Sequence, residues 1–268
     1  MKFNLTFTNH LQNYNYIKNL GEGAYGNIEL YNCNNHCPFK KCNQTYVVKR
    51  IKSYNLNYKK SMMNEWTLSK ILSHENIRSL VDIDITNYCL IYEYEPRYID
   101  LFYFLDQKLF VKNTENFDKF IYQMKNVLNY MQDKCISHMD LKPENILIDK
   151  EYNIKLIDFG NSIPFKLNDK LVYIKGIKTT IEYASPEQFE NILYDPSKVD
   201  LWSCGITLIG LFLHYYPWDK AILSDRYFFK FYKHKTKFLS NLKIDYKYYD
   251  LLYNLLNIES NERFFSFD

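Results

Sequence analysis

His138-Met139-Asp140-Leu141-Lys142-Pro143-Glu144-Asn145 is the stretch on which the reading of this chain turns. An apolar strand, Ile146-Leu147-Ile148, follows it, and a second, Ile154-Lys155-Leu156-Ile157, runs into Asp158-Phe159-Gly160. Phosphoryl transfer asks for a carboxylate that orients a hydroxyl and accepts its proton, a cation near the transferred group, and oxygen ligands for Mg²⁺. Asp140, Lys142, and the pair Asn145 with Asp158 supply these in turn. Each is bland alone, since an Asp in a loop is most often a turn or cap residue. Their order and spacing carry the reading.

Working toward the N-terminus, the glycines are informative because they are scarce: 7 of 268 residues, against ~7% on average. Such a chain should keep glycine where φ is positive or another backbone comes close. Three of the seven fall in Leu20-Gly21-Glu22-Gly23-Ala24-Tyr25-Gly26-Asn27-Ile28. The spacing alone leaves two phosphate-binding arrangements open. A dinucleotide fold wants a helix directly after the last glycine. Here Asn27-Ile28-Glu29-Leu30-Tyr31 alternates polar and apolar, so a strand is predicted. The loop then joins two strands as a lid whose N–H groups cover phosphates. Thr45-Tyr46-Val47-Val48-Lys49-Arg50-Ile51 reads as a third strand ending in basic residues. Residues 61–72 carry apolar side chains at helical spacing, with Glu65 among them. Lys49 and Glu65 each have an ordinary reading as solvated surface charges. As a buried pair they would orient the lysine toward phosphates.

Composition narrows the setting. Lys and Arg number 34 against 31 Asp and Glu, a net charge of +3, which makes no case for nucleic-acid binding. The most apolar run, near residues 205–213, is well short of the ~20 residues of a membrane span. No secretory segment is read at the N-terminus, and six cysteines without one suggest reduced thiols. A soluble, intracellular, monomeric protein is expected, with no direct nucleic-acid partner and no membrane contact.

Taken together, these motifs resemble the eukaryotic protein kinases over residues 13–267. The resemblance implies an α+β, bilobal fold: a small β-rich N-lobe (13–92), a hinge (93–97) and a larger helical C-lobe (98–267), with residues 1–12 as an N-terminal extension and ATP between the lobes. It assigns Asp140 as catalytic base with Lys142 beside it, and Asn145 and Asp158 as Mg²⁺ ligands. Leu20, Gly21, Glu22, Gly23, Ala24, Tyr25, Gly26, Asn27 and Ile28 form the phosphate lid. Lys49 binds phosphates and pairs with Glu65. Tyr92 takes the gatekeeper position, backbone groups of Glu93 and Glu95 face adenine, Asp100 sits where a ribose-contacting acid is common, and Leu147 completes the nucleotide set. Thr180-Ile181-Glu182-Tyr183-Ala184-Ser185-Pro186-Glu187 resembles the close of an activation loop, with Glu187 paired to Arg263. Asp200-Leu201-Trp202-Ser203-Cys204-Gly205 resembles the helix that anchors the catalytic loop. Lys142 and Thr180 are Ser/Thr-kinase features, so the expected substrates are protein Ser and Thr hydroxyls.

Leu72-Ser-His-Glu-Asn-Ile77, Val199-Asp-Leu-Trp-Ser-Cys-Gly-Ile206 and Pro217-Trp-Asp219, with the glycine loop, resemble the checkpoint kinase 1 family. That implies a DNA-damage and replication-checkpoint role, cell-cycle phosphatases as substrates, cell-cycle arrest, and a nuclear location, otherwise cytoplasmic. No autoinhibitory tail of that family is expected. Three positions depart from the kinase pattern. Met139 replaces the arginine that contacts a phosphorylated activation loop, so a loop held by packing is predicted. Val47 replaces the alanine above adenine, and Thr179 replaces a glycine. Two alternatives stay open: a pseudokinase scaffold, and an active Ser/Thr kinase of another pathway.

Other features have ordinary readings. Cys33-Asn34-Asn35-His36-Cys37-Pro38-Phe39-Lys40-Lys41-Cys42 matches no zinc spacing, and adjacent His36 and Cys37 fit one tetrahedral site poorly. A disordered hairpin between strands is expected there. The Tyr, Phe and Lys of 225–237 suggest a helix with aromatics inward and lysines in water, rather than a base-stacking face. His138 is expected to brace the catalytic loop. Cys89, Cys135 and Cys204 read as small core residues. Helices are predicted over 116–134, 197–213 and 246–256.

Overall fold

A computed structural model describes residues 10–23, 26–33, 44–52, 56–111 and 114–267. The backbone forms two units: one runs up to Pro96 and includes Asp158–Gly160, the other is Arg97–Ile157 with the chain from Asn161 onward. Ala24, Tyr25 and most of the cysteine-bearing insert lie outside the described residues.

The first unit is an antiparallel sheet of β1 (Tyr14–Gly23), β2 (Gly26–Cys33), β3 (Thr45–Ile51), β4 (Leu80–Asp84) and β5 (Cys89–Glu93), in the order β1-β2-β3-β5-β4. Strand alternation sorts its side chains onto two faces. Tyr14, Tyr31, Cys33, Tyr46, Val48, Cys89 and Ile91 make one apolar cluster. Leu30, Val47, Ile51, Leu90 and Tyr92 make the other, which Met62 of helix α1 (Leu56–Ser69) joins. Lys49, two residues from Val47 and from Ile51, belongs to this second face. On α1 the buried residues are Met62, Glu65 and Leu68, spaced three apart, so one helix face delivers a carboxylate into an otherwise apolar contact.

The expected hairpin of the glycine loop is present, since β1 and β2 pair directly with Gly23 opposite Gly26. The steric demand rests on Gly26, where a Cβ would stand 1.8 Å from the Arg50 carbonyl oxygen. Gly21 has open space and no positive φ, so neither reason for glycine applies to it here.

The second unit is helical. α2 (Leu101–Asp106) is followed by α3 (Thr114–Asp133), which buries Phe117, Phe120, Ile121, Met124, Val127, Leu128 and Met131 on one stripe. Short strands Ile136–Ser137, Ile146–Ile148 and Ile154–Leu156 frame the catalytic-loop sequence. A short helix α4 (Pro186–Phe189) precedes α5 (Val199–Leu213), which is buried nearly all round, as befits a core helix. α6 (Arg226–Lys233), α7 (Lys235–Ser240) and α8 (Tyr249–Leu255) complete it. Gly205 lets Leu256 pack within 2.8 Å of where a Cβ would be. No helix of the described residues is long and apolar enough to cross a membrane.

Several predicted elements differ in detail. The helices over 197–213 and 246–256 open with 3₁₀ turns, Pro196–Lys198 and Tyr246–Tyr248, before becoming α-helical. The single helix read over 225–237 is broken at His234, whose φ of −142° leaves the helical region. Only Phe228 and Phe231 of α6 point inward; Tyr227, Phe229 and Tyr232 are exposed, with Lys230 and Lys233 over their rings. An eight-residue helix cannot bury five aromatics on one stripe. Cys89 and Cys204 are buried, and burial pushes the Cys89 thiol up to about 12. Cys135 is half-buried with a φ of 56°, because it ends the turn after α3 rather than filling the core.

Candidate active site

The candidate residues form two clusters, one in each unit. In the first, Lys49 Nζ donates to Glu65 Oε2 at 3.0 Å and to Asp158 Oδ1 at 2.7 Å. All three side chains are largely buried. Burial works against the Lys49 ammonium, but the Glu65 and Asp158 carboxylates overcome it and raise its pKa. A permanently charged amine is thereby held on a fixed bearing, as a phosphate-binding lysine must be. Asp158 keeps a φ of 64°, the left-handed region that costs a non-glycine residue energy. Its neighbours hold it there: Asn64 Nδ2 donates to the carbonyls of Phe159 (3.3 Å) and Gly160 (3.1 Å), and a Cβ on Gly160 would strike Ser61 Oγ.

Tyr92 does more than line this face. Its hydroxyl donates to Glu65 Oε1 at 2.5 Å, so the two oxygens of Glu65 are shared between a tyrosine and the lysine. Arg78 stands 4.9 Å from the Tyr92 ring centroid and donates from Nη2 to the Glu93 carbonyl at 2.8 Å. Ser61, Asn64, Arg78 and the Tyr92 hydroxyl contact were not read from the sequence. Ser, Asn and Arg have many surface uses, and no spacing marks them. Of the lid residues, Leu20 is exposed, Glu22 pairs with Lys52 at 3.0 Å, and Ile28 lies opposite Lys49 in the sheet. Glu93 is exposed and Glu95 half-buried.

In the second unit, Asp140 is buried and its Oδ1 accepts from Thr180 N (3.1 Å) and Thr180 Oγ1 (2.9 Å). Lys142 Nζ donates to Thr180 Oγ1 at 2.7 Å and lies 3.5 Å from Asp140 Oδ2. Thr180 therefore ties the carboxylate to the cation through one hydroxyl. Asn145 Nδ2 donates to the Asp140 carbonyl at 2.8 Å and to its Oδ2 at 3.3 Å. Beneath them, Asp200 accepts from Ser137 Oγ, His138 N and Met139 N at 2.6–2.9 Å. This is the anchoring predicted for that helix. His138 is fully buried, with Nε2 2.9 Å from the Ile157 carbonyl oxygen, and braces the loop as expected. Asp100 caps α2, accepting from Tyr103 N at 2.7 Å, and lies opposite Leu147 in a short strand pair.

Met139, in the arginine position, is fully buried with Tyr194 and Val199, and Ile163 and Ile174 pack against them. Thr179 is engaged as well, its Oγ1 donating to the Thr180 carbonyl and accepting from Gln188 Nε2. Arg263 is buried and makes two bonds to Glu187, at 2.6 and 2.7 Å, under the Trp202 ring.

Each unit holds one candidate ligand with an oxygen of the kind a hard divalent cation takes. Asn145 spends its NH₂ on Asp140 and keeps its amide oxygen as an acceptor, and in the first unit Asp158 carries a carboxylate. Among the described residues no group of three or more His, Cys, Asp or Glu could hold a metal ion.

Comparison with known proteins agrees with this chemistry. Residues 14–266 match the protein kinase domain. The Ser/Thr-protein kinase ppk8 of Schizosaccharomyces pombe is 29% identical over 91% of this chain and 48% of its own length. Ppk24 of the same yeast, named as mitochondrial, is 29% identical over 81% of this chain and 50% of its length. A kinase of Encephalitozoon cuniculi named as a CHK1 homolog is 39% identical over 41% of this chain and 26% of its own length. The chain spans about half the length, or less, of these curated relatives. With the sheet unit, the helical unit and both residue clusters in place, the chain belongs to the protein kinase domain family.

Proposed function

We propose that this chain is an active Ser/Thr protein kinase that transfers the γ-phosphoryl group of ATP, with Mg²⁺, to protein hydroxyls. The observation that carries the reading is the Asp140–Thr180–Lys142 link, which sets a buried carboxylate and a cation around one hydroxyl oxygen. In the reaction Asp140 orients the substrate hydroxyl and takes its proton. Lys142 offsets charge on the transferred group, and Lys49, held by Glu65 and Asp158, binds phosphate oxygens. Asn145 and Asp158 would hold Mg²⁺, which when bound neutralises phosphate charge.

Met139 supports a second element of the proposal: the activation segment is seated by apolar packing and needs no phosphorylation. An arginine there would meet a phosphate with charge-assisted bonds. Methionine meets Ile163, Ile174, Tyr194 and Val199 instead. For pathway, we propose a checkpoint role with cell-cycle phosphatases as substrates and a nuclear site of action. The support is the similarity of part of the chain to the CHK1 homolog and the motifs around Trp202 and Trp218.

The test is transfer from labelled ATP·Mg²⁺ to a mixed Ser/Thr/Tyr peptide library, with Asp140→Asn as control. Ser or Thr labelling lost in the variant is the expected result, and the residues flanking labelled sites test the checkpoint assignment. ATP binding without transfer would favour the scaffold alternative and overturn the catalytic reading.

A further inference from the structure

We propose that Arg78 sets the base preference of the nucleotide site, so that the chain accepts purine nucleotides with a carbonyl at position 6 about as well as adenine nucleotides. The inference rests on the phosphoryl-donor reading above and specifies its base.

Glu93 and Glu95 are the residues whose backbone groups the kinase resemblance turns toward the base. Adenine presents an amine at position 6, a donor that needs a carbonyl partner. In this structure the Glu93 carbonyl already accepts from Arg78 Nη2 at 2.8 Å. The guanidinium has a second contact besides this bond. Its Cζ lies 4.9 Å from the Tyr92 ring centroid, close enough for a cation–π contact. Tyr92 in turn is pinned by its hydroxyl to Glu65 at 2.5 Å. Burial presses on the Arg78 charge, while Tyr92, Glu95 and Glu65 favour it. Arg78 is thus half-buried at this strand end and tied both to the Glu93 carbonyl and to the Tyr92 ring.

The consequence is a reversal of polarity at the base edge. A guanidinium carries five N–H donors and no acceptor. An adenine amine brought to Glu93 would place donor beside donor at one oxygen. The lone pairs of that oxygen allow two donors, but the cationic one is the stronger and already in place. A base with a carbonyl at position 6, hypoxanthine or guanine, instead offers an acceptor to a charged donor. One such bond gained or lost is worth about tenfold in affinity.

Binding separates this from turnover. Calorimetric titration of the whole chain with ADP, IDP and GDP in Mg²⁺ compares the bases; IDP tests the position-6 carbonyl alone, because hypoxanthine lacks the extra amine of guanine. The wild type is expected to bind IDP and ADP within about tenfold of each other. Arg78→Met, which keeps an apolar stem without donors, is expected to shift that ratio toward ADP by about tenfold. Circular dichroism and ligand-free melting check that the variant folds, and Arg78→Leu, which likewise lacks donors, replaces it with the same expected shift if it does not. An ADP preference well beyond tenfold in the wild type overturns the inference, as does an unchanged ratio in a folded Arg78→Met. Binding of none of the three would remove the phosphoryl-donor reading and this inference with it, an outcome distinct from tight ADP binding with IDP excluded.

Discussion

The hydroxyl of Tyr92 offers the sharpest test of how the Lys49 cluster is held. Tyr92→Phe removes one oxygen and leaves the ring among Val47, Met62 and Leu90, so the packing term is small. What is lost is a 2.5 Å bond to a carboxylate whose side chain is only 6% exposed. A hydrogen bond to a charged group nets about 1.5–3 kcal/mol, and burial places this one at the upper part of that range. We expect Tyr92→Phe to lower unfolding stability by about 2–3 kcal/mol. Glu65→Ala removes the partner, and in that background the same substitution should cost less than about 0.5 kcal/mol. The assay is urea unfolding of the four proteins of this double-mutant cycle, with folded-state circular dichroism as control. Costs that add to within about 0.5 kcal/mol would refute the coupling. The Glu65 carboxylate would then owe its position to Lys49 and the α1 backbone alone.

Three further outcomes follow from other parts of the molecule. Met139→Arg should destabilise by about 3–5 kcal/mol in thermal or urea unfolding, because it buries a guanidinium among apolar side chains, whereas Met139→Leu should cost under about 1.5 kcal/mol; wild-type transfer should survive phosphatase treatment. Glu187→Ala should cost about 3–5 kcal/mol by leaving the Arg263 charge buried without its counter-charge, and Glu187→Met with Arg263→Met should recover much of it in the same unfolding assay. Asp225 caps α6: partial burial works against its ionisation, but backbone N–H groups of Phe228, Lys220, Asp219 and Tyr227 overcome it and lower its pKa. Its contribution should therefore be full above the unfolded carboxylate range near ~3.9 and fade as pH falls through the lower folded value. Asp225→Ala should cost about 1 kcal/mol at neutral pH, and the difference from wild type should shrink in acid.

Much of the site was legible because its residues are local in sequence. Asp140, Lys142 and Asn145 lie within six positions, and Asp158 follows a short apolar strand, so motif and neighbourhood coincide. Strand alternation in 45–51 is equally local, and it placed Lys49 beside Val47 and Ile51. The helix boundaries were harder, since 3₁₀ turns at Pro196 and Tyr246 carry the same apolar spacing as the α-helices they open. The break at His234 left no proline or glycine to announce it.

What the amino-acid order determines by itself is therefore the family, and with it the candidates for a base, a cation, oxygen ligands and a glycine hairpin in one sequence of spacings. What only the tertiary structure decided is which ordinary residues serve them. Arg78 meets the Glu93 carbonyl across 15 positions, Tyr92 meets Glu65 across 27, and Thr180 meets Asp140 across 40. A hydrogen bond depends on ångström-scale distance and angle, and contacts between residues so far apart are set by packing of whole elements. No local pattern in the chain encodes them.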